Sequence, residues 1–387
     1  MENKIDFEIN YKEIEKRKDR IRDVWEYKRV DHIPLGIYII DNKEKFSRQQ
    51  IEKEKEKNLR FDLNSIKKSL ELLSDDYIPF IKPEVGCSTI PTILGCEVEY
   101  TDQKDNFSTI KSPIVLKIDD LDRIHIPKSK KEISARGLMP LNLEKIHYYL
   151  QVTGGAIDIT GIDIGGVLCG SVDIMDTNLF YISLITEKER MLNYLDKLSD
   201  LYVSVQSVLT AEVGGINKMM SIDWDVSWYP EGRKGYVSDD PCANFGPETF
   251  EIFSKPFNKK MYDIYGYGGF HNCGPHPSAS SYLDYNNNSL KAINCSLQFT
   301  YKQLDNYLDA FKGREVILYF LFEEEFYDAK RAIELYRELA QKGSERNLVC
   351  IPSYPIDASV YSDSEIEDIF DEFSKISKSY ADSLKLK

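Results

Sequence analysis

Two residues, His271 and Cys273, define the chemistry this chain could perform. They stand in the stretch from Tyr265 to Pro277, which reads Tyr-Gly-Tyr-Gly-Gly-Phe-His-Asn-Cys-Gly-Pro-His-Pro. An amphipathic helix pattern gives out at its start, and the glycine-rich run that follows reads as a short strand. Side chains alternate along a strand, so positions two apart share a face. His271 and Cys273 therefore point the same way at a strand's carboxyl end. An imidazole and a thiolate so placed are two of the three protein ligands of an open zinc site. The rest of the chain must supply a third, and a fold that brings it close.

From about residue 142 onward, helix and strand patterns alternate. The strand candidates are continuous apolar runs, of which Glu315-Val-Ile-Leu-Tyr-Phe-Leu-Phe322 is the strongest. Such runs mark a parallel sheet buried on both faces. About eight strand candidates, most with a following helix, predict an α/β fold of the (β/α)8 TIM-barrel type. No glycine-rich dinucleotide fingerprint follows the first strand, Leu35 to Ile40, which weighs against an open doubly wound sheet. Strands are also expected over Glu97 to Tyr100, Ile114 to Ile118, 165–170 and Met219 to Ile222, and helices over Ala279 to Asn287 and Glu187 to Val213. Residues 9–30 are charged, with Ile14, Ile21, Val24 and Trp25 at helical spacing. A chain of 387 residues fits one barrel with insertions. Residues 1–387 are therefore expected to form a single domain, with 1–30 as an N-terminal helix packed on the barrel.

Composition narrows the partners. A net charge of -14 argues against binding a phosphate backbone, while leaving a basic protein partner open. No apolar run approaches a membrane span, and the polar start lacks the apolar core of a signal peptide. A cytoplasmic protein is expected. Seven scattered cysteines suit reduced thiols and not a disulfide framework.

All strands of a barrel end at one face, and that face carries the active site. Cysteines at other strand ends can therefore reach His271 and Cys273. Cys295 ends the next strand, and Cys350 sits on the last. Two cysteines and one histidine with an open position make a catalytic metal site, whereas a structural site is closed by four ligands. Cys87, Cys96, Cys169 and Cys242 read as small buried hydrophobes. His32 reads as a structural or surface residue, and His276 as a loop residue. Glu84, Asp223, Asp239 and Asp240 are acids expected at the barrel mouth, where carboxylates also cap helices. Trp224, Trp228 and Tyr229 suit either an aromatic substrate pocket or core packing.

These residues carry a resemblance. His271-Asn-Cys-Gly274 after a helix, with Cys350 near the last strand, is similar to the His-x-Cys…Cys zinc signature of the cobalamin-dependent methyltransferases in the uroporphyrinogen decarboxylase superfamily. Asp31-His-Ile-Pro-Leu35 resembles that superfamily's first strand. Tyr236-Val-Ser-Asp-Asp240, Gly246-Pro-Glu-Thr-Phe250 and Lys255-Pro256 resemble a further segment, as does Glu84 before Gly95-Cys-Glu-Val98. Two departures stand out. The arginine-rich element that holds substrate carboxylates in the decarboxylases is replaced by Tyr38-Ile-Ile-Asp-Asn42, which argues against porphyrinogen decarboxylation. Cys350 lies in Val349-Cys-Ile-Pro352 instead of a glycine-flanked turn, which leaves Cys295 as the fallback ligand.

The resemblance implies a zinc-dependent methyltransferase acting on a small methylated substrate or a thiol. His271, Cys273 and Cys350 would hold zinc. Glu84, Asp239 and Asp240 would be catalytic, and Asp223, Trp224, Trp228 and Tyr229 would bind substrate. The methyl group would pass to or from a corrinoid (cobalamin). The sequence lacks the Asp-x-His-x-x-Gly pattern of a corrinoid domain, so the corrinoid would arrive on a separate corrinoid protein. A homodimer stays open. The alternatives are a metal-independent decarboxylase-like lyase and a non-catalytic ligand-binding barrel.

Overall fold

The apolar runs become eight parallel strands in the computed structural model, which describes residues 5–100, 107–323 and 326–387. In chain order they are β1 (Gly36–Ile40), β2 (Phe80–Ile81), β3 (Asp158–Ile159), β4 (Tyr236–Ser238), β5 (Gly269–His271), β6 (Ala292–Ser296), β7 (Ile317–Leu321) and β8 (Val349–Asp357). Six form one parallel sheet in the order β1-β8-β7-β6-β5-β4. β2 and β3 pair with each other. A bridge joins Ile159 of β3 to Met219, and the Ile222 N–H donates to the Lys234 carbonyl at 3.0 Å, just before β4.

The α/β class is as expected. Among the described residues, however, no ladder joins β1 to β2, so the eight strands form a six-stranded and a two-stranded sheet, not one hydrogen-bonded ring. β2 is flanked by Pro79 and Pro83, which cannot donate to a ladder. β3 runs into Gly161, where a Cβ would lie 2.2 Å from the Ile222 carbonyl, so only glycine allows the chain to approach 219–222 this closely.

The helix Tyr11–Trp25 buries Ile14, Ile21, Val24 and Trp25, the four residues that its spacing singles out. Trp25 Nε1 donates to Tyr319 Oη of β7 at 3.1 Å and so fastens the helix to the sheet. The helix Lys188–Val213 buries its apolar face from Met191 to Val213. One core cluster of buried residues extends from Ile14 to Leu384.

Other expectations fail locally. Ile114 and Leu116 are exposed, so the run at 114–118 makes only a bridge from Val115 to Met175 before the 3-10 turn Ile118–Arg123. The run at 165–170 is the start of the helix Val167–Ile174, since Gly165 takes a positive φ and breaks the extended chain. The stretch 279–287 is a short 3-10 turn followed by a hairpin, Asp284–Tyr285 with Asn288–Ser289, in which Asn286 adopts φ 57. The run at 97–100 pairs antiparallel with Thr109–Ile110 over Val98–Glu99. Among the described residues no helix is long and apolar enough to cross a membrane.

His32 is structural. Its Nε2 lies 3.0 Å from both carboxylate oxygens of Asp76, and the Arg20 guanidinium donates to Asp31, Asp75 and Asp76. His32, Asp75 and Asp76 converge closely enough to resemble a metal site, but the Arg20 guanidinium already pairs with both carboxylates. Burial lowers the His32 pKa, and the Asp76 hydrogen bond and charge outweigh it, leaving the value above the usual 6.5. Protonated His32 thus stabilises the fold fully below its unfolded pKa, and this contribution is lost as pH rises through the higher folded value. Urea midpoints measured between about pH 6 and 8 are expected to fall with pH in the wild type, and His32→Gln is expected to flatten that slope.

Candidate functional site

β5 ends at His271, and its neighbours fix which way the imidazole points. The parallel register places Ser238, His271, Asn294, Tyr319 and Ile351 in one rung across β4, β5, β6, β7 and β8. Residues of one rung share a face of the sheet. His271 Nδ1 lies 2.8 Å from Asn294 Oδ1, so Nδ1 carries the proton and donates it. The Asn294 amide is oriented in turn by Asp225, whose Oδ2 accepts from Asn294 Nδ2 at 3.4 Å and from Tyr229 Oη at 2.9 Å. His271 Nε2 is left with its lone pair facing Cys273 Sγ at 3.2 Å and Asp240 Oδ1 at 3.5 Å. Asp240 Oδ1 also accepts from the Cys273 N–H at 2.7 Å. One ligand atom each from Asp240, His271 and Cys273 falls within 4.8 Å of the others.

The thiol is poorly placed to ionise alone. Burial first, and the Asp240 carboxylate second, push the Cys273 pKa far above its usual value. A thiolate here needs a cation beside it. The turn after Cys273 is braced from behind. Thr300 Oγ1 donates to the Cys273 carbonyl at 3.4 Å, and His276 Nε2 lies 2.9 Å from Thr300 Oγ1. Burial lowers the His276 pKa to about 3, so this imidazole is neutral and donates to the hydroxyl. Gly274 adopts φ +119, and a Cβ there would press on Thr300 Oγ1 at 3.0 Å.

The three donors open onto a cavity of about 760 Å3. Trp224 forms part of its wall, with its ring edge-to-face on His271 at 5.0 Å. Asp163 and Asp173 line the same cavity. Burial pushes each of these carboxyls up to about 6, with Lys82 opposing the shift at Asp163. Neither acid was anticipated from the sequence. Asp163 was legible in principle, since it follows β3 in the glycine-rich loop Thr160-Gly-Ile-Asp-Ile-Gly-Gly166 at the strand end where barrel chemistry sits.

The expected third ligand lies elsewhere. Cys350 is the second residue of β8 and pairs with Leu318, one step out of register with Ile351. It therefore faces away from His271. It is fully buried, and its N–H donates to Tyr380 Oη at 3.2 Å beneath the last helix. Cys295 is likewise one step beyond Asn294 and is fully buried near Thr300 and Tyr307. On the last strand Ser353, two residues past Ile351, reaches the cavity wall.

Other expected site residues separate in the same way. Asp239 turns from the cavity: its Oδ1 caps the helix Val167–Ile174 by accepting from the Leu168 and Cys169 N–H groups, and its Oδ2 accepts from Asn258 at 2.9 Å. Asp223 pins two loops by accepting from the N–H groups of Ile164 and Trp224. Glu84 pairs with Arg48 at 2.8 Å and Lys82 at 3.1 Å in a second cavity of about 210 Å3. Tyr229 is packed among Trp25, Tyr236 and Tyr319, and Trp228 lies under the Lys234 ammonium at 4.5 Å. Of the expected substrate contacts, the structure brings only Trp224 to His271. Cys87 and Cys169, read as buried hydrophobes, both line the cavity.

No family model matches the chain, and a search of curated proteins gives no match. Among solved structures, a methyltransferase from Methanosarcina mazei is similar in fold, with a TM-score of 0.67 at 15% identity over 93% of this chain and 98% of that one.

Proposed function

We propose that this chain is a zinc-dependent methyltransferase. In this reading a single barrel domain moves a methyl group between a small methylated substrate or thiol and the corrinoid of a separate protein. The observation that carries it is the convergence of His271 Nε2, Cys273 Sγ and Asp240 Oδ1 at the carboxyl ends of β4 and β5, beside a substrate-sized cavity. The likeness in fold to a protein named a methyltransferase supports the same class. The corrinoid and its carrier come from the resemblance in sequence. The free cysteines suit the reducing cytoplasm as the place of action.

The donor set fits zinc, which takes nitrogen, sulfur and carboxylate oxygen and keeps a position open in catalytic sites. When bound, zinc supplies Lewis acidity and holds a thiolate at neutral pH. The chain's own residues do the rest. Asn294 holds His271 in the tautomer that offers Nε2. Asp240 sets the Cys273 backbone through its N–H. Trp224 shields one side of the imidazole from water.

Metal analysis of the purified full chain, with methyl transfer from methylcobalamin to a small thiol to give the thioether and cob(I)alamin, followed by corrin absorbance, tests the proposal. Near-stoichiometric zinc and zinc-dependent turnover are expected. A folded protein that neither contains nor takes up zinc would sink it. Asn294→Ala is expected to weaken zinc binding by about 10–100-fold without removing a ligand, as outer-shell partners do. Competition with a chromogenic chelator measures this.

A further inference from the structure

We infer that the methylated substrate of this cavity is a cation, an N-methylated or S-methylated onium ion, drawn in by Asp163 and Asp173. The inference rests on reading the His271 cavity as the methyl-transfer site, and it concerns only the charge class that this site accepts.

The wall of the cavity is unbalanced. Its described lining includes the carboxylates Asp163, Asp173, Asp240 and Glu323, and one ammonium, Lys82. Lys82 is already committed, with its Nζ 3.1 Å from Glu84. A zinc ion beside Asp240 and a Cys273 thiolate would have its two charges met by those two donors. Of the three carboxylates that remain, Asp163 and Asp173 make no ion pair among the described residues and are both half-buried. Burial and the Asp163 charge raise the Asp173 pKa, and burial with the Glu84 and Asp240 charges raises that of Asp163, as like charges near one another do. Half-buried carboxylates without an ion-pair partner are costly, and a bound cation relieves both at once.

The remaining wall suits an onium ion. Trp224, Tyr38, Tyr181 and Phe322 line the same space, and aromatic faces attract ammonium groups that have lost their water. Phe107 is spoken for, since the Arg48 guanidinium lies over its ring at 3.6 Å. An anionic thiol or carboxylate would meet Asp163 and Asp173 with no free cation to offset them.

Isothermal titration of the full chain, at one ionic strength, with tetramethylammonium, neutral tert-butanol and anionic pivalate tests this on the wild type. Tetramethylammonium is expected to bind at least ~10-fold more tightly than tert-butanol, with pivalate weakest. Equal affinities, or pivalate tightest, overturn the inference. Asp163→Asn and Asp173→Asn, checked by thermal melts, are each expected to weaken tetramethylammonium by ~10-fold and leave tert-butanol unchanged. No change in either variant also overturns it. Metal-free His271→Ala separates this inference from the methyltransferase reading. Retained tetramethylammonium binding there supports the cation site whether or not zinc catalysis holds, and lost binding refutes its assignment to the two carboxylates.

Discussion

His271→Ala and Cys273→Ser are each expected to give folded protein that has lost its zinc, whereas Cys350→Ala keeps it. Each of the first two changes removes one of three donors whose ligand atoms lie within 4.8 Å of one another. The loss in affinity should exceed the ~10–100-fold that outer-shell partners control. Methyl transfer should fall to background, because the thiol of Cys273 is held protonated by burial and by Asp240 unless a cation sits beside it. Asp240→Asn is expected to weaken zinc binding as well, since a neutral amide oxygen replaces a carboxylate. The fold should survive these changes. His271 makes one buried hydrogen bond, to Asn294, of a kind worth about 1 kcal/mol net. Chelator titration of the four variants, with circular dichroism to certify folding, decides the matter. Zinc loss in Cys350→Ala with retention in Asp240→Asn would restore the two-cysteine site and reject the one described above.

Glu84→Gln is expected to destabilise the protein by about 3 kcal/mol, a stability effect and not a catalytic one. Glu84 is buried and answers the charges of Arg48 and Lys82, both mostly buried themselves. Those two cations, with burial opposing them, hold the Glu84 carboxyl well below the usual range. The neighbouring Lys145 ammonium is fully buried and donates to the Ile51 carbonyl at 2.7 Å, to Asn58 Oδ1 at 3.0 Å and to the Glu84 carbonyl. Burial lowers the Lys145 pKa to about 8, and the Glu84 charge counters part of that shift. Removing this anion takes a partner from Lys82 and leaves Arg48 with Glu52 at 3.4 Å in a poorly solvated cluster, which costs far more than losing a surface pair. Urea unfolding should show a lower midpoint with an unchanged slope. A variant with wild-type stability and no turnover would return Glu84 to the list of catalytic groups.

The same network explains why Glu84 misled the reading of the sequence. An acid after a predicted strand is equally suited to chemistry and to an ion pair, and Arg48 and Lys82 reveal the difference only once the chain is folded.

Much was nonetheless set by sequence. Apolar runs with following helices gave the parallel α/β fold, because a strand buried on both faces must be apolar on both. The four buried residues of the first helix followed from a 3.6-residue period. His271 and Cys273 followed from a two-residue period, and the structure places their ligand atoms 3.2 Å apart. All three are local consequences of backbone geometry.

Tertiary structure decided what depends on register. Cys350 and Ile351 differ by one position, and only the pairing of β7 with β8 says which of them shares a face with His271. Asp239 and Asp240 are chemically identical neighbours after β4. One caps a helix and the other meets the imidazole, because β4 ends at Ser238 and the chain turns into a 3-10 helix at Asp240. A one-residue difference in register exchanges the two faces, and no count of spacings within a single strand can reveal it. The pairing of His271 with Asn294 follows from that register, whereas Asp163 and Asp173 reach the cavity from a loop and from the helix Val167–Ile174.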